Sequence, residues 1–175
     1  MQKDLISNQF HDIEKSRDLL QASVDKYIPY DVEHIYTPDE LEYYDSLSFR
    51  FEKCVELTLN FFRSLELFLD LKQSDTMRDR LLAMQKIEIV DDIDFWKEAR
   101  LLRNKVAHAY LPDEIKDIYQ KIFDNSKKIF ATIERIKVYL TTRVEKKEQA
   151  VKESEGTHGD EKESEEKVEK IPFKK

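Results

Sequence analysis

Residues 95–112 read Phe-Trp-Lys-Glu-Ala-Arg-Leu-Leu-Arg-Asn-Lys-Val-Ala-His-Ala-Tyr-Leu-Pro, placing a guanidinium (Arg103), an amide (Asn104), an imidazole (His108) and a phenol (Tyr110) within eight residues. Arginine offers a rigid fork of donors that fits a phosphate. Histidine is the side chain whose ordinary pKa lets it act as both base and acid near neutral pH. Together these groups meet the needs of in-line RNA cleavage without a metal. His108 would take the proton from a ribose 2′-OH or protonate the leaving oxygen, and Arg103 would stabilise charge growing on the phosphoryl oxygens. Asn104 would orient the imidazole. Arg100, one turn before Arg103, and Lys105 are candidate additional contacts to phosphate, with Lys97 as a further source of basic charge.

Each residue also has an ordinary reading. A histidine near a helix end can cap it, and an arginine or lysine on an exposed face can be solvated or salt-bridged. Geometry adds a constraint. In one continuous helix Asn104 and His108, four apart, share a face. Arg103 and His108, five apart, diverge by roughly 140° at 3.6 residues per turn. They converge only where the helix ends or distorts, or where a second copy of the chain completes the site.

The elements that must position this stretch are helical. Only two glycines occur in 175 residues, Gly156 and Gly159, so residues 1–146 contain none. That excludes glycine-rich phosphate loops, dinucleotide fingerprints and Gly-x-Ser-x-Gly elbows. It also disfavours a fold of many short strands, whose turns need glycine. Apolar residues recur at Ile6, Phe10, Ile13, Leu20 and Val24, with Arg17 filling the one gap. Residues 25–37, around Pro29, read as a connection. Its tyrosines, with Tyr43 and Tyr44 beyond it, could stack on bases, but packing onto the bundle is the better reading. Thr37-Pro38-Asp39-Glu40 has the features of a helix start: hydroxyl cap, proline at the first helical position, acids in the first turn. Leu41, Tyr44, Ser48, Phe51, Val55, Thr58, Phe62, Leu65 and Leu69 then repeat at helical spacing. Gln73-Ser74-Asp75 supplies a turn and cap before a short helix through Met77, Leu81 and Met84. Asp91-Asp92 precedes a helix with Ile93, Trp96, Ala99, Leu102 and Val106 on its apolar side. After Pro112 the last stretch runs from Ile115 through Ile136 to about residue 145.

The expectation is an all-α antiparallel bundle of four to five helices, two of them long, over residues 1–146. A disordered Glu/Lys/Ser-rich tail over 147–175 follows, because so little apolar surface cannot offset its ordering entropy. The Ile171-Pro172-Phe173 island in that tail is a weak docking signal. The net charge is −7, with 23 basic and 28 acidic residues in 1–146, which argues against tight non-specific binding to duplex DNA. Asp91, Asp92 and Asp94 are better explained as helix caps than as a Mg²⁺ site. Cys54 reads as packing, Trp96 as core or interface, and His11, His34 and His158 have no recognisable partner. No cofactor and no metal is expected. No stretch longer than seven residues lacks Lys, Arg, Asp or Glu, and Met1-Gln-Lys-Asp opens no signal peptide, so the chain reads as cytoplasmic with no membrane partner.

Motif and helix order together resemble the HEPN domain family. Its pattern of Arg, a polar residue, three more residues and His is matched by Arg103, Asn104 and His108. In the branch of toxins paired with a minimal nucleotidyltransferase (MNT) antitoxin, it continues as His-x-Tyr, matched by His108-Ala109-Tyr110. The resemblance implies a homodimer whose two motifs face each other as a composite endoribonuclease site acting on RNA. It implies further that Tyr110 is adenylylated by the partner nucleotidyltransferase, the bulky charged AMP blocking RNA. Some HEPN proteins are instead non-catalytic modules that bind nucleotide or support a nucleotidyltransferase. The long tail and acidic body depart from the compact pattern.

Overall fold

The structure, a computed structural model, describes residues 2–69, 71–106 and 111–156, with side chains described for 4–69, 71–102, 105 and 111–143. The chain is all-α. Among the described residues five helices follow in order: α1 Gln2–Val24, α2 Pro38–Phe68, α3 Met77–Lys86, α4 Ile93–Val106 and α5 Pro112–Gly156. Met1–Ile136 is one compact unit and Lys137–Lys175 a second.

In the first unit α2 is the central element, packed against α1, α3 and α4. Its sequence explains why. Besides the expected stripe, of which all but the half-buried Leu41 is buried, Leu47, Cys54 and Phe61 form a second buried row seven residues apart. Two rows need two neighbours. Phe61 meets Phe10 of α1 at 5.9 Å between ring centres, while Phe62 meets Trp96 of α4 edge-on at 5.5 Å. At 1.5 Å per residue its 31 residues run about 46 Å. Thr37 caps it in a reciprocal box: the Glu40 amide donates to the Thr37 hydroxyl, and Glu40 accepts from the Thr37 amide at 2.8 Å.

α1 buries Ile6, Phe10, Ile13, Leu20 and Val24 as its spacing predicts. At the gap, Ser16 takes the buried position, and Arg17 lays its guanidinium over the Phe130 ring, 5.7 Å from its centre. The last turn of α1 has no basic residue; the amides of Asp25, Lys26 and Tyr27 close on the Gln21, Ser23 and Val24 carbonyls, and α2 adds further donors. Tyr43 donates to the Ser23 carbonyl at 3.0 Å, and Arg50 reaches the Ser23 hydroxyl at 2.6 Å and the Leu19 carbonyl at 3.4 Å.

The tyrosines of the α1–α2 connection pack. Tyr30 stacks on Tyr36 at 4.5 Å, both meet Tyr44, and Tyr30 meets Tyr119 of α5; Tyr27 stacks on Phe123. At the next turn the cap lies one residue beyond the expected segment: Thr76 accepts from the Asp79 amide at 3.1 Å. Ser74 instead bonds, through its hydroxyl and amide, to Glu66, a fully buried carboxylate of α2 that also pairs with Arg80 Nε at 3.0 Å. α3 closes with amides of Glu88 and Ile89 bonded to the Gln85 and Met84 carbonyls, and with Glu88 at φ 62°. That pairing is a Schellman stop, which glycine usually provides. A chain without glycine here puts a glutamate in the left-handed region.

Asp92 caps α4 by accepting from the Phe95 amide at 2.9 Å. Asp91 pairs with Arg135, Asp92 with Lys128 and Asp94 with Lys97, so these acids serve as a cap and ion-pair partners. α5 covers this end of α4, with Lys128 also over the Phe95 ring. Its buried row is Ile118, Ile122, Ile129, Ile133 and Ile136, with Ser126 filling the gap by donating to the Ile122 carbonyl at 2.7 Å. The helix extends past the expected end near residue 145, through the anticipated start of the tail, to the first glycine of the chain, Gly156. The intervening Glu-Lys-Lys-Glu-Gln-Ala run has high helix propensity, which apolar periodicity alone does not register. Residues 157–175, including His158 and Ile171-Pro172-Phe173, lie outside the described residues.

In the second unit, Thr141 and Thr142 each return a hydrogen bond to the carbonyl four residues back, and Arg143 bonds the Tyr139 hydroxyl.

Candidate functional site

α4 is the element that must present the motif, and its amphipathicity fixes how. Phe95, Trp96, Ala99 and Leu102 are buried against the bundle. Arg103 and Asn104 belong to the last described turn of α4, and their side chains lie outside the described set. His108 and Tyr110 lie outside the described residues, between Val106 and Leu111. The structure therefore brings Arg103 and Asn104 together on one helix and does not test their convergence with His108.

Arg100 is exposed, and its guanidinium points to Met77 Sδ of α3 at 3.2 Å, a weak acceptor. Among the described residues no carboxylate pairs with it. Lys105 is likewise exposed, while Lys97 is tied to Asp94 at 2.9 Å. The two residues expected to add phosphate contacts thus keep accessible charge, and the third is partly neutralised.

Between the outer faces of α4 and α5 lies an open groove of about 570 Å³. On α4 it runs along Asp94, Lys97, Leu101 and Lys105, at spacings of three or four; α5 supplies Glu114, Asp117, Ile118 and Lys121 from successive turns. Leu101 on its floor is 59% exposed, and Leu111, whose carbonyl accepts the first bond of α5, is 61% exposed. Three lysines face four carboxylates around this floor, so the groove has no excess of positive charge. It is too mixed to hold a duplex by counterion release and suits a shorter segment or a protein surface. The groove is not apparent from sequence because the apolar pattern of α4 marks its buried side. Its signal was Leu101, an apolar residue on the polar face.

The other candidates resolve into structure. His34 has a partner after all: its Nε2 lies 3.2 Å from Glu40, and its ring meets Tyr36 edge-on. Cys54 is fully buried and burial pushes its thiol up to about 12, so it is no nucleophile at neutral pH. Trp96 is core. Glu66, which the sequence reading passed over, is held by Arg80 and Ser74 in a role that fastens α3 to α2. Among the described residues no group of three or more His, Cys, Asp or Glu is placed to hold a metal ion, and no helix is long and apolar enough to cross a membrane. Compared with protein-family models, with curated proteins and with solved structures, the chain gives no match.

Proposed function

We propose that this chain is a metal-independent endoribonuclease, the toxin of a toxin–antitoxin pair acting in the cytoplasm, with a composite site built from two copies of the Arg103-Asn104-x3-His108 motif. The observation supporting it most is that α4, which carries Arg103 and Asn104, borders an open groove, with Leu101, Arg100 and Lys105 exposed. In the reaction the imidazole of one His108 takes the proton of a ribose 2′-OH. The 2′ oxygen bonds to phosphorus, the P–O5′ bond breaks, and the second His108, as imidazolium, gives its proton to the departing 5′ oxygen. The products are a 2′,3′-cyclic phosphate and a 5′-OH end. Arg103 holds the phosphoryl oxygens as charge builds on them, and Asn104 orients the imidazole. Adenylylation of Tyr110 by an MNT-type nucleotidyltransferase would place AMP beside Arg103 and silence the site.

A second reading is favoured by the mixed charge of the groove: a non-catalytic module that binds nucleotide or supports a nucleotidyltransferase. End-labelled total RNA and tRNA incubated with purified protein in EDTA separate the two. Wild-type cleavage with cyclic-phosphate ends, absent in His108→Ala, supports the nuclease. Intact RNA, with protein shown by mass to be free of AMP, moves the assignment to the binding module.

A further inference from the structure

We propose that the α1–α2 connection, residues 25–37, is a docking loop for a protein partner offering an apolar socket edged by lysines or arginines. It presents the most exposed large apolar side chain among the described residues, Ile35 at 92%, together with Ile28 at 67%. Single exposed apolar residues are common on protein surfaces and mean little alone. These two differ in the frame that holds them.

The loop has no helix or strand, yet its backbone is fastened at successive points. The Tyr44 hydroxyl donates to the Ile28 carbonyl at 3.1 Å, and the Asp31 amide donates to the Tyr36 hydroxyl at 2.8 Å. The Glu33 amide closes an Asx turn on Asp31 at 3.0 Å, and the capping box at Thr37 anchors the exit. Stacked Tyr30 and Tyr36 fill the inner side. Ile35 thus lies between two fastened neighbours, His34 on the exposed Glu40 and Tyr36 on Tyr30, while its own branched side chain, stiff at χ1, faces solvent. A contact loop ordered in advance loses little further freedom on binding, and that is where affinity is gained.

Charge chooses the partner. Asp25, Asp31, Glu33, Asp39, Glu40 and Glu42 are all exposed in and beside the loop, against Lys26, the one Lys or Arg in residues 25–49, and Lys127 of α5 over the Phe123 ring on which Tyr27 stacks. Phosphodiesters and anionic bilayers are repelled by such a rim. A second copy is also a poor match, because residues 1–146 are themselves net acidic. A basic-rimmed apolar socket complements both the rim and the tip. None of the residues of the proposed nuclease lies in this loop.

The test places a photocrosslinker in the full chain as Ile28→p-benzoylphenylalanine, in the cells that produce it, with Arg78→p-benzoylphenylalanine on α3 as a control. One discrete protein adduct is expected, its crosslinked peptide carrying Lys or Arg beside apolar residues. Adding Ile35→Asp, or the pair Glu33→Lys/Glu42→Lys, lowers that adduct about tenfold or more, as loss of a central anchor or its steering charge should. Unchanged melting curves show that both variants fold. No adduct above the control overturns the proposal. So does an adduct with nucleic acid, lipid or a second copy, an acidic crosslinked peptide, or a yield indifferent to the added substitutions.

Discussion

Glu66 is the residue whose sequence position says least about its surroundings. It sits between Leu65 and Leu67 on α2, where a carboxylate would ordinarily point to water, yet it is fully buried. Its oxygens are taken up by Arg80 and Ser74, and Arg80 also donates to the Ser74 carbonyl at 3.1 Å. Removing one partner of a buried ion pair leaves an uncompensated charge and costs about 3–5 kcal/mol, whereas removing both costs much less. Since the Arg80 side chain keeps 13% of its exposure, the lower end applies, and Arg80→Met is expected to lose about 3 kcal/mol in urea denaturation. Glu66→Met added to Arg80→Met should recover much of that loss. Costs that simply add would show that the pair has no mutual dependence. Glu88 shows the complementary case: its left-handed φ belongs to the stop of α3, and a glycine-free sequence gives no sign of which residue will take it.

At the scale of elements, the tyrosine cluster joins the α1–α2 connection to α2 and α5 and sets a pH limit. Burial, reinforced by neighbouring phenols and Asp124, pushes Tyr27 up to about 12. Burial with Asp45 nearby does the same to Tyr119, and burial also raises Tyr44. An acid whose folded pKa is raised holds a proton that the unfolded chain releases, so stability is complete below pH 10 and declines as pH rises towards 12. Phenolate absorbance should lag behind that of free tyrosine above pH 10 and then rise together with loss of helical circular dichroism. Ionisation of every tyrosine just above pH 10 with the helices intact would mean that these rings are not packed as described. Helices of this kind were largely legible in the sequence. The 3–4 spacing located the buried row of α2 from Tyr44 to Leu69, and Thr37-Pro38 located its start. Less legible were features set by partners distant in the chain: Ser16 replacing Arg17 in the core, Ser74 drawn to Glu66 so that Thr76 becomes the cap, and α5 continuing on propensity after its apolar row stops. At the candidate site, sequence placed Arg103 and Asn104 on α4 but could not foresee the groove beside them, because grooves arise from two helices whose outer faces meet.

For the whole molecule, the composite-site proposal requires two chains to meet along the motif-bearing surface. Arg103 and His108, five apart, do not share a face in one unbroken helix, and in the proposal a second copy would supply the missing group. Leu101 marks where that contact can form. It is 59% exposed, so its replacement leaves the core of the subunit intact, and surface changes of this kind usually stay within about 0.5 kcal/mol. A charge at the centre of an apolar contact, by contrast, must be desolvated without a partner. Leu101→Asp should therefore keep the wild-type melting temperature, run as a monomer in light scattering where the wild type runs as a dimer, and lose RNA cleavage in proportion to the monomer fraction. A variant that is monomeric yet fully active would remove the composite site and leave Arg103 and His108 to act within one chain. A variant that remains dimeric and active would move the interface away from the α4–α5 groove, freeing that groove to be the surface on which substrate or a nucleotidyltransferase rests.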